Sequence, residues 1–78
     1  MEDRIKNIMA AVFEISISDI DDESSVDTIK SWDSLKHMNL IIALEEEFQI
    51  TIPDEEVGNL ITYPLIKLIL KEILSNSK

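Results

Sequence analysis

The sequence predicts an all-α chain, a small four-helix bundle with three main helices, one short third helix and a long first loop. Three observations lead there. Apolar residues recur at i, i+3, i+4 and i+7 in separate stretches, the spacing of helices that each bury one face. Gly occurs once and Pro twice, too few turn formers for an all-β chain of 78 residues. There is no cysteine, so neither disulfides nor thiolate metal sites can brace so small a core, and helix packing must do so.

The first helix is expected over about residues 2 to 14. Ile5, Ile8, Met9, Val12 and Phe13 make its apolar face, and Glu2 and Asp3 suit the positive end of its dipole. Residues 15 to 33 read as a long loop rich in Ser, Asp and Thr. Ile15, Ile17, Ile20, Val26, Ile29 and Trp32 recur along it, which suggests a loop pinned to the core. Asp33 is the expected N-cap of a second helix from Ser34 to about Phe48. Pro53 and Asp54 open a short third segment near residues 54 to 60, with Val57 and Leu60 inward and Gly58 weakening or ending it. Thr62 is the expected N-cap of the last helix, with Pro64 in its first turn. Ile66, Ile69, Leu70 and Ile73 make its buried stripe, and Ser75 to Lys78 are expected to fray. No internal repeat or low-complexity tract interrupts what reads as one domain, residues 1–78.

Composition narrows the function classes. The net charge is −9 and the isoelectric point is near 4.3. Nucleic-acid backbones and anionic lipid surfaces repel such a chain, and basic protein surfaces attract it. No stretch approaches the roughly 20 apolar residues of a membrane span. The first 14 residues lack the unbroken apolar run of a secretory signal. A cytoplasmic monomer is the expectation.

The second helix carries the most information. On a wheel of about 100° per residue, Leu40, Ile41, Leu44 and Phe48 form one stripe, and Leu35, Met38 and Ile42 form another roughly 140° away. One stripe docks a helix into a bundle. The second, beside Ser34 and flanked by Asn39, Glu45 and Glu46, reads either as a partner-binding surface or as a second buried side. Met38 suits a surface that meets several partners.

The segment Trp32-Asp33-Ser34-Leu35 opening this helix resembles the attachment motif of acyl carrier proteins. The match continues through Leu44-Glu45-Glu46-Glu47-Phe48 and Ile50-Thr51-Ile52-Pro53-Asp54-Glu55-Glu56 at the same spacing, and the chain has the family's length. An isolated Asp-Ser-Leu is weak; followed by these two segments it is specific. The resemblance implies a bundle with a long first loop and a short third helix. It implies that Ser34 takes 4'-phosphopantetheine from coenzyme A through a phosphopantetheinyl transferase. Asp33 is then the motif acid that helps the transferase position its metal-bound donor. Leu35 is the apolar residue that docks into acyl-transferring and acyl-modifying enzymes with basic surfaces. Met38, Ile42, Glu45 and Glu46 are expected to share that partner surface.

Two physical points support such a placement. A helix N-terminus favours the phosphodiester anion, and a serine at a loop–helix junction is accessible to an enzyme. The first turn after Ser34 departs from fatty-acid members of the family: it reads Lys36, His37, Met38, Asn39, and acid returns only at Glu45 to Glu47. Charge complementarity sets partner choice and encounter rate, so a specialised carrier is expected, in fatty-acid, polyketide, lipopeptide or cell-surface lipid assembly. Aminoacyl and peptidyl carriers share the fold and the modified serine.

Rival classes are weaker. Ser34, His37 and Asp33 lack the oxyanion hole and the acid on the far side of the imidazole that a hydrolase needs, so no catalytic residue is expected. His37 falls on the core side of the wheel and should bond a loop carbonyl. An EF-hand starting at Asp19 would need Gly and Glu where Ser24 and Lys30 stand, and no metal is expected. Trp32 reads as a loop anchor or as a hot spot. Glu47 is expected to face water. An unmodified acidic helical interaction module remains the rival of another class.

Overall fold

A computed structural model describes residues 2–76 as four α-helices and connecting segments. The helix α1, Glu2–Phe13, buries Ile5, Met9 and Phe13. It ends one residue before the expected boundary, because Glu14 adopts a left-handed φ of 58°. That twist lets the Ile15 N–H reach back to the Ala10 carbonyl at 3.1 Å, satisfying an acceptor the last turn leaves open.

Between α1 and the next helix the chain is built of tight turns. A 3-10 turn spans Ile17–Asp19. Ile20, Ile29 and Trp32 are buried, while Ile15 and Val26 are half-buried against the core. Ile17 is the exception to the expected pinning, 48% exposed. The segment is stitched to the start of the last helix by backbone bonds, Tyr63 N–H to the Ser24 carbonyl at 2.9 Å and Val26 N–H to the Ile61 carbonyl at 3.1 Å.

The helix α2, Ser34–Phe48, buries Leu40, Ile41 and Leu44, with Phe48 half-buried. It lies antiparallel to α1. Arg4, at the start of α1, donates to the Glu47 carboxylate at 2.7 Å and to the Glu47 carbonyl at 2.9 Å, and its guanidinium stands over the Phe48 ring. At the other end, Lys36 pairs with Glu14 at 2.9 Å. Glu47, expected simply to face water, thus holds Arg4 at the exposed rim. Gln49, φ 53°, ends α2 with the same left-handed turn as Glu14, and Ile50 N–H returns to the Glu45 carbonyl at 3.1 Å.

The helix α3 is one turn, Asp54–Val57, and contains no fully buried residue. Gly58 ends it, one of the two outcomes expected of that glycine, so the last helical residue is Val57 rather than residue 60. Leu60 is fully buried all the same, from irregular chain. The helix α4, Tyr63–Asn76, buries Tyr63, Ile66, Ile69 and Leu70. Thr62 Oγ1 caps it by accepting from the Leu65 N–H at 3.1 Å. Ser75 and Asn76 are helical rather than frayed, and Ser77 and Lys78 of the expected frayed end lie outside the described residues. Among the described residues no helix is long and apolar enough to cross a membrane.

Candidate functional site

Asp33 is where loop becomes helix. Its backbone is extended, φ −114° and ψ −174°, while its carbonyl already accepts the first helical bond, from the His37 N–H at 2.8 Å. Its carboxylate oxygen Oδ1 accepts from the Lys36 N–H, also at 2.8 Å. This is the N-cap geometry that a short acidic side chain before an apolar-periodic run favours. Of the four open donors of the first turn, the Lys36 N–H is thereby satisfied and the Asp33 N–H bonds the Ser31 carbonyl at 3.1 Å. The N–H groups of Ser34 and Leu35 have no partner among the described residues. Ser34 is exposed, and its hydroxyl has no hydrogen-bond partner there either. An accessible hydroxyl thus sits beside two open amide donors at the positive end of α2. A phosphodiester attached at Ser34 fits that setting, because its negative charge faces those donors.

The second stripe of α2 is not a second core face. Leu35, Met38 and Ile42 are 69%, 49% and 51% exposed, an apolar strip running from the serine down the helix. Glu46 is exposed beside it. Glu45 is turned inward instead: it is half-buried, and its Oε2 accepts from the Ile52 N–H at 2.8 Å, so that oxygen fixes the α2–α3 connection.

Trp32 is an anchor. It is 7% exposed, its ring centroid lies 4.6 Å from that of Phe13, and its Nε1–H donates to His37 Nδ1 at 3.0 Å. His37 Nε2 meets the Val57 carbonyl at 2.7 Å; the partner is the last residue of α3 rather than a loop. Both ring nitrogens are occupied away from Ser34, so no Ser–His nucleophile pair forms.

Electrostatics near the site are modest. The hydrogen bond from Lys36, with the attraction of its charge, holds the Glu14 carboxyl below its ordinary value. Lys36 therefore carries its positive charge into a local pair one turn from Ser34. In the acidic turn at residues 19–23, Asp21 caps the Glu23 N–H and Asp22 pairs with Lys67 at 3.2 Å. Among the described residues no cluster of acids or His suited to a metal ion forms.

Ser31, which the sequence does not single out, helps place the approach to the site: its hydroxyl donates to the Phe13 carbonyl at 2.8 Å. A contact across 18 residues leaves no mark in one sequence.

Known proteins share both the motif and the fold. Residues 3–64 match the family described as phosphopantetheine attachment site. The fold superposes on the solution structure of a holo acyl carrier protein from Geobacter metallireducens with a TM-score of 0.84 and 29% identity, covering 97% of this chain and 87% of that one. The chain therefore belongs to the phosphopantetheine-attachment family, carrier proteins of the acyl carrier type that hold 4'-phosphopantetheine covalently and are not themselves enzymes.

Proposed function

We propose that the chain carries acyl intermediates on a phosphopantetheine arm attached to Ser34 and delivers them to enzymes of a specialised fatty-acid, polyketide or lipid pathway. The observation that carries this reading is the exposed, unpartnered hydroxyl of Ser34 beside the open N–H groups of Ser34 and Leu35. The arm supplies a thiol that holds cargo as a reactive thioester. The protein supplies a fixed anchor, so that cargo meets a partner's active site at high effective concentration. Asp33 caps the helix and places a carboxylate next to the hydroxyl, where a transferase brings its metal-bound donor. Leu35, Met38 and Ile42 form the apolar centre of the docking face, with Glu46 as its acidic rim. Glu45 contributes its remaining oxygen at most. A cytoplasmic monomer meeting one enzyme at a time completes the reading.

Partner choice follows from the first turn of α2. It contains no acid, and Lys36 is tied to Glu14. Enzymes whose basic surfaces select an acidic turn there gain little from this chain. The same turn suits aminoacyl carriers, which the cargo assay separates.

The test is loading of the full chain with coenzyme A and a broad-specificity phosphopantetheinyl transferase, read by intact mass. One phosphopantetheine on wild type and none on Ser34→Ala supports the reading. No addition to wild type refutes it and favours an unmodified interaction module. Loading with acyl and with aminoacyl groups by their respective enzymes then distinguishes the cargo.

A further inference from the structure

His37 takes no part in attachment, yet its imidazole is engaged on both sides. Trp32 Nε1–H donates to Nδ1 at 3.0 Å, and Nε2 lies 2.7 Å from the Val57 carbonyl oxygen. One tautomer satisfies both contacts: Nδ1 bare and accepting, Nε2 protonated and donating. Trp32 stands two residues before Ser34, locked against Phe13. Val57 is the last residue of α3. A single ring therefore joins the approach to the attachment serine, α2 and α3.

The helix α3 cannot hold itself. One turn is far below the length at which a helix is stable alone in water. Its flanks are fixed by the burial of Ile52 and Leu60 and by the Glu45 carboxylate on the Ile52 N–H. Its C-terminal end is held by His37. Two hydrogen bonds through one imidazole are not independent. Donation into Nδ1 polarises the ring and strengthens Nε2–H as a donor, and it fixes the rotation of the ring that aims Nε2 at Val57.

We infer that His37 is a positioning residue that couples the hold on α3 to the loop carrying Ser34, so that loosening either end loosens the other. A partner that shifts the approach to Ser34 changes how readily α3 leaves α2. Displacement of α3 is felt in turn at the attachment loop. The coupling belongs to the unmodified chain and stands apart from whether Ser34 bears the arm.

The experiment uses the full unmodified chain and two readouts. The first is amide hydrogen exchange at Asn59 and Leu60, whose N–H groups bond the Glu56 and Val57 carbonyls at 2.9 and 3.5 Å. The second is fluorescence of Trp32, the one tryptophan of the sequence. Trp32→Phe removes the indole N–H and leaves the His37–Val57 contact in place. His37→Gln puts an amide nitrogen where Nε2 lies, keeping a donor for Val57 while dropping the acceptor for Trp32. Both variants are expected to speed exchange at Asn59 and Leu60 roughly three- to tenfold, the scale of one weakened hydrogen bond. Conversely, His37→Asn keeps an acceptor near Nδ1 and drops the Val57 donor, and is expected to shift Trp32 emission to the red. If Trp32→Phe costs too much global stability, His37→Gln decides. Wild-type exchange at Asn59 and Leu60 in His37→Gln, or wild-type emission in His37→Asn, would show two independent bonds and overturn the inference.

Discussion

Asp33 caps α2 and, on the proposed reading, also serves the transferase with the same carboxylate, and the two tasks can be separated. Its Oδ1 accepts from the Lys36 N–H at 2.8 Å, and it is the residue next to Ser34 in the chain. Asp33→Ala removes acceptor and charge together. Loss of an N-cap acceptor costs about 1 kcal/mol, within a range of roughly 0.5 to 2. In a chain of this size about 1 kcal/mol lowers Tm by roughly 4 to 8 °C. Asp33→Asn keeps an acceptor of equal capping rank and removes the charge, so its Tm should stay within about 3 °C of wild type. Transferase loading should behave otherwise. On the proposed reading both variants lose the carboxylate that meets the transferase's metal-bound donor, so both should load slowly, although Asp33→Asn leaves the helix capped. The assay is a thermal melt by circular dichroism paired with initial loading rates by mass spectrometry. Equal loss of Tm in the two variants would refute the capping argument. Wild-type loading by Asp33→Asn would refute the role of the charge.

Other outcomes follow from the same geometry. Glu45→Ala strands the part-buried Ile52 N–H and should cost about 1 to 3 kcal/mol in urea unfolding, whereas the exposed Glu46→Ala should stay within about 0.5 kcal/mol. Met38→Ala with Ile42→Ala should leave Tm nearly unchanged, yet weaken transfer to a native partner at least about fivefold, the effect of losing 1 kcal/mol at an interface centre. The Glu14 carboxyl is held low by Lys36, so its stabilising contribution is present above the ordinary carboxylate value and is lost as pH falls through its lowered one; Glu14→Gln should flatten the stability–pH curve across that acid window. Lys36→Glu with Asn39→Glu should speed transfer by fatty-acid enzymes that display basic surfaces, and unchanged rates at low salt would count against charge as the selector.

Much of the fold was legible because the helices obey their period. The wheel separated Leu40, Ile41 and Leu44 from Leu35, Met38 and Ile42, and burial divides the same residues. Capping chemistry located the starts of α2 and α4 at Asp33 and Thr62. For α3 the sequence leaves two ends open, near residue 60 by the helical spacing of Val57 and Leu60 or at Gly58; the helix stops at Gly58, and Leu60 is buried from the chain beyond it. The wheel places Glu45 between the two stripes and so beside the expected partner surface; only the return of residues 50–52 draws it inward. Ile17 looks like the other apolar residues of its segment, but the 3-10 turn points it to solvent. The attachment motif at Asp33 and Ser34 stood out because it is contiguous. Behind it, the wheel puts His37 on the core side to bond a carbonyl, and Trp32 reads as an anchor. The joining of Trp32 to Val57 by that one ring, and the meetings of Arg4 with Glu47 and of Ser24 with Tyr63, bring together distant residues and leave no mark in the sequence.

The central claim is that the arm hangs from the hydroxyl at the start of α2. Fragmentation of the loaded protein in a tandem mass spectrometer locates the attached group by residue. The group is expected on Ser34 alone. Recovery on Ser31, Ser25 or any other hydroxyl, with Ser34 bare, would contradict it.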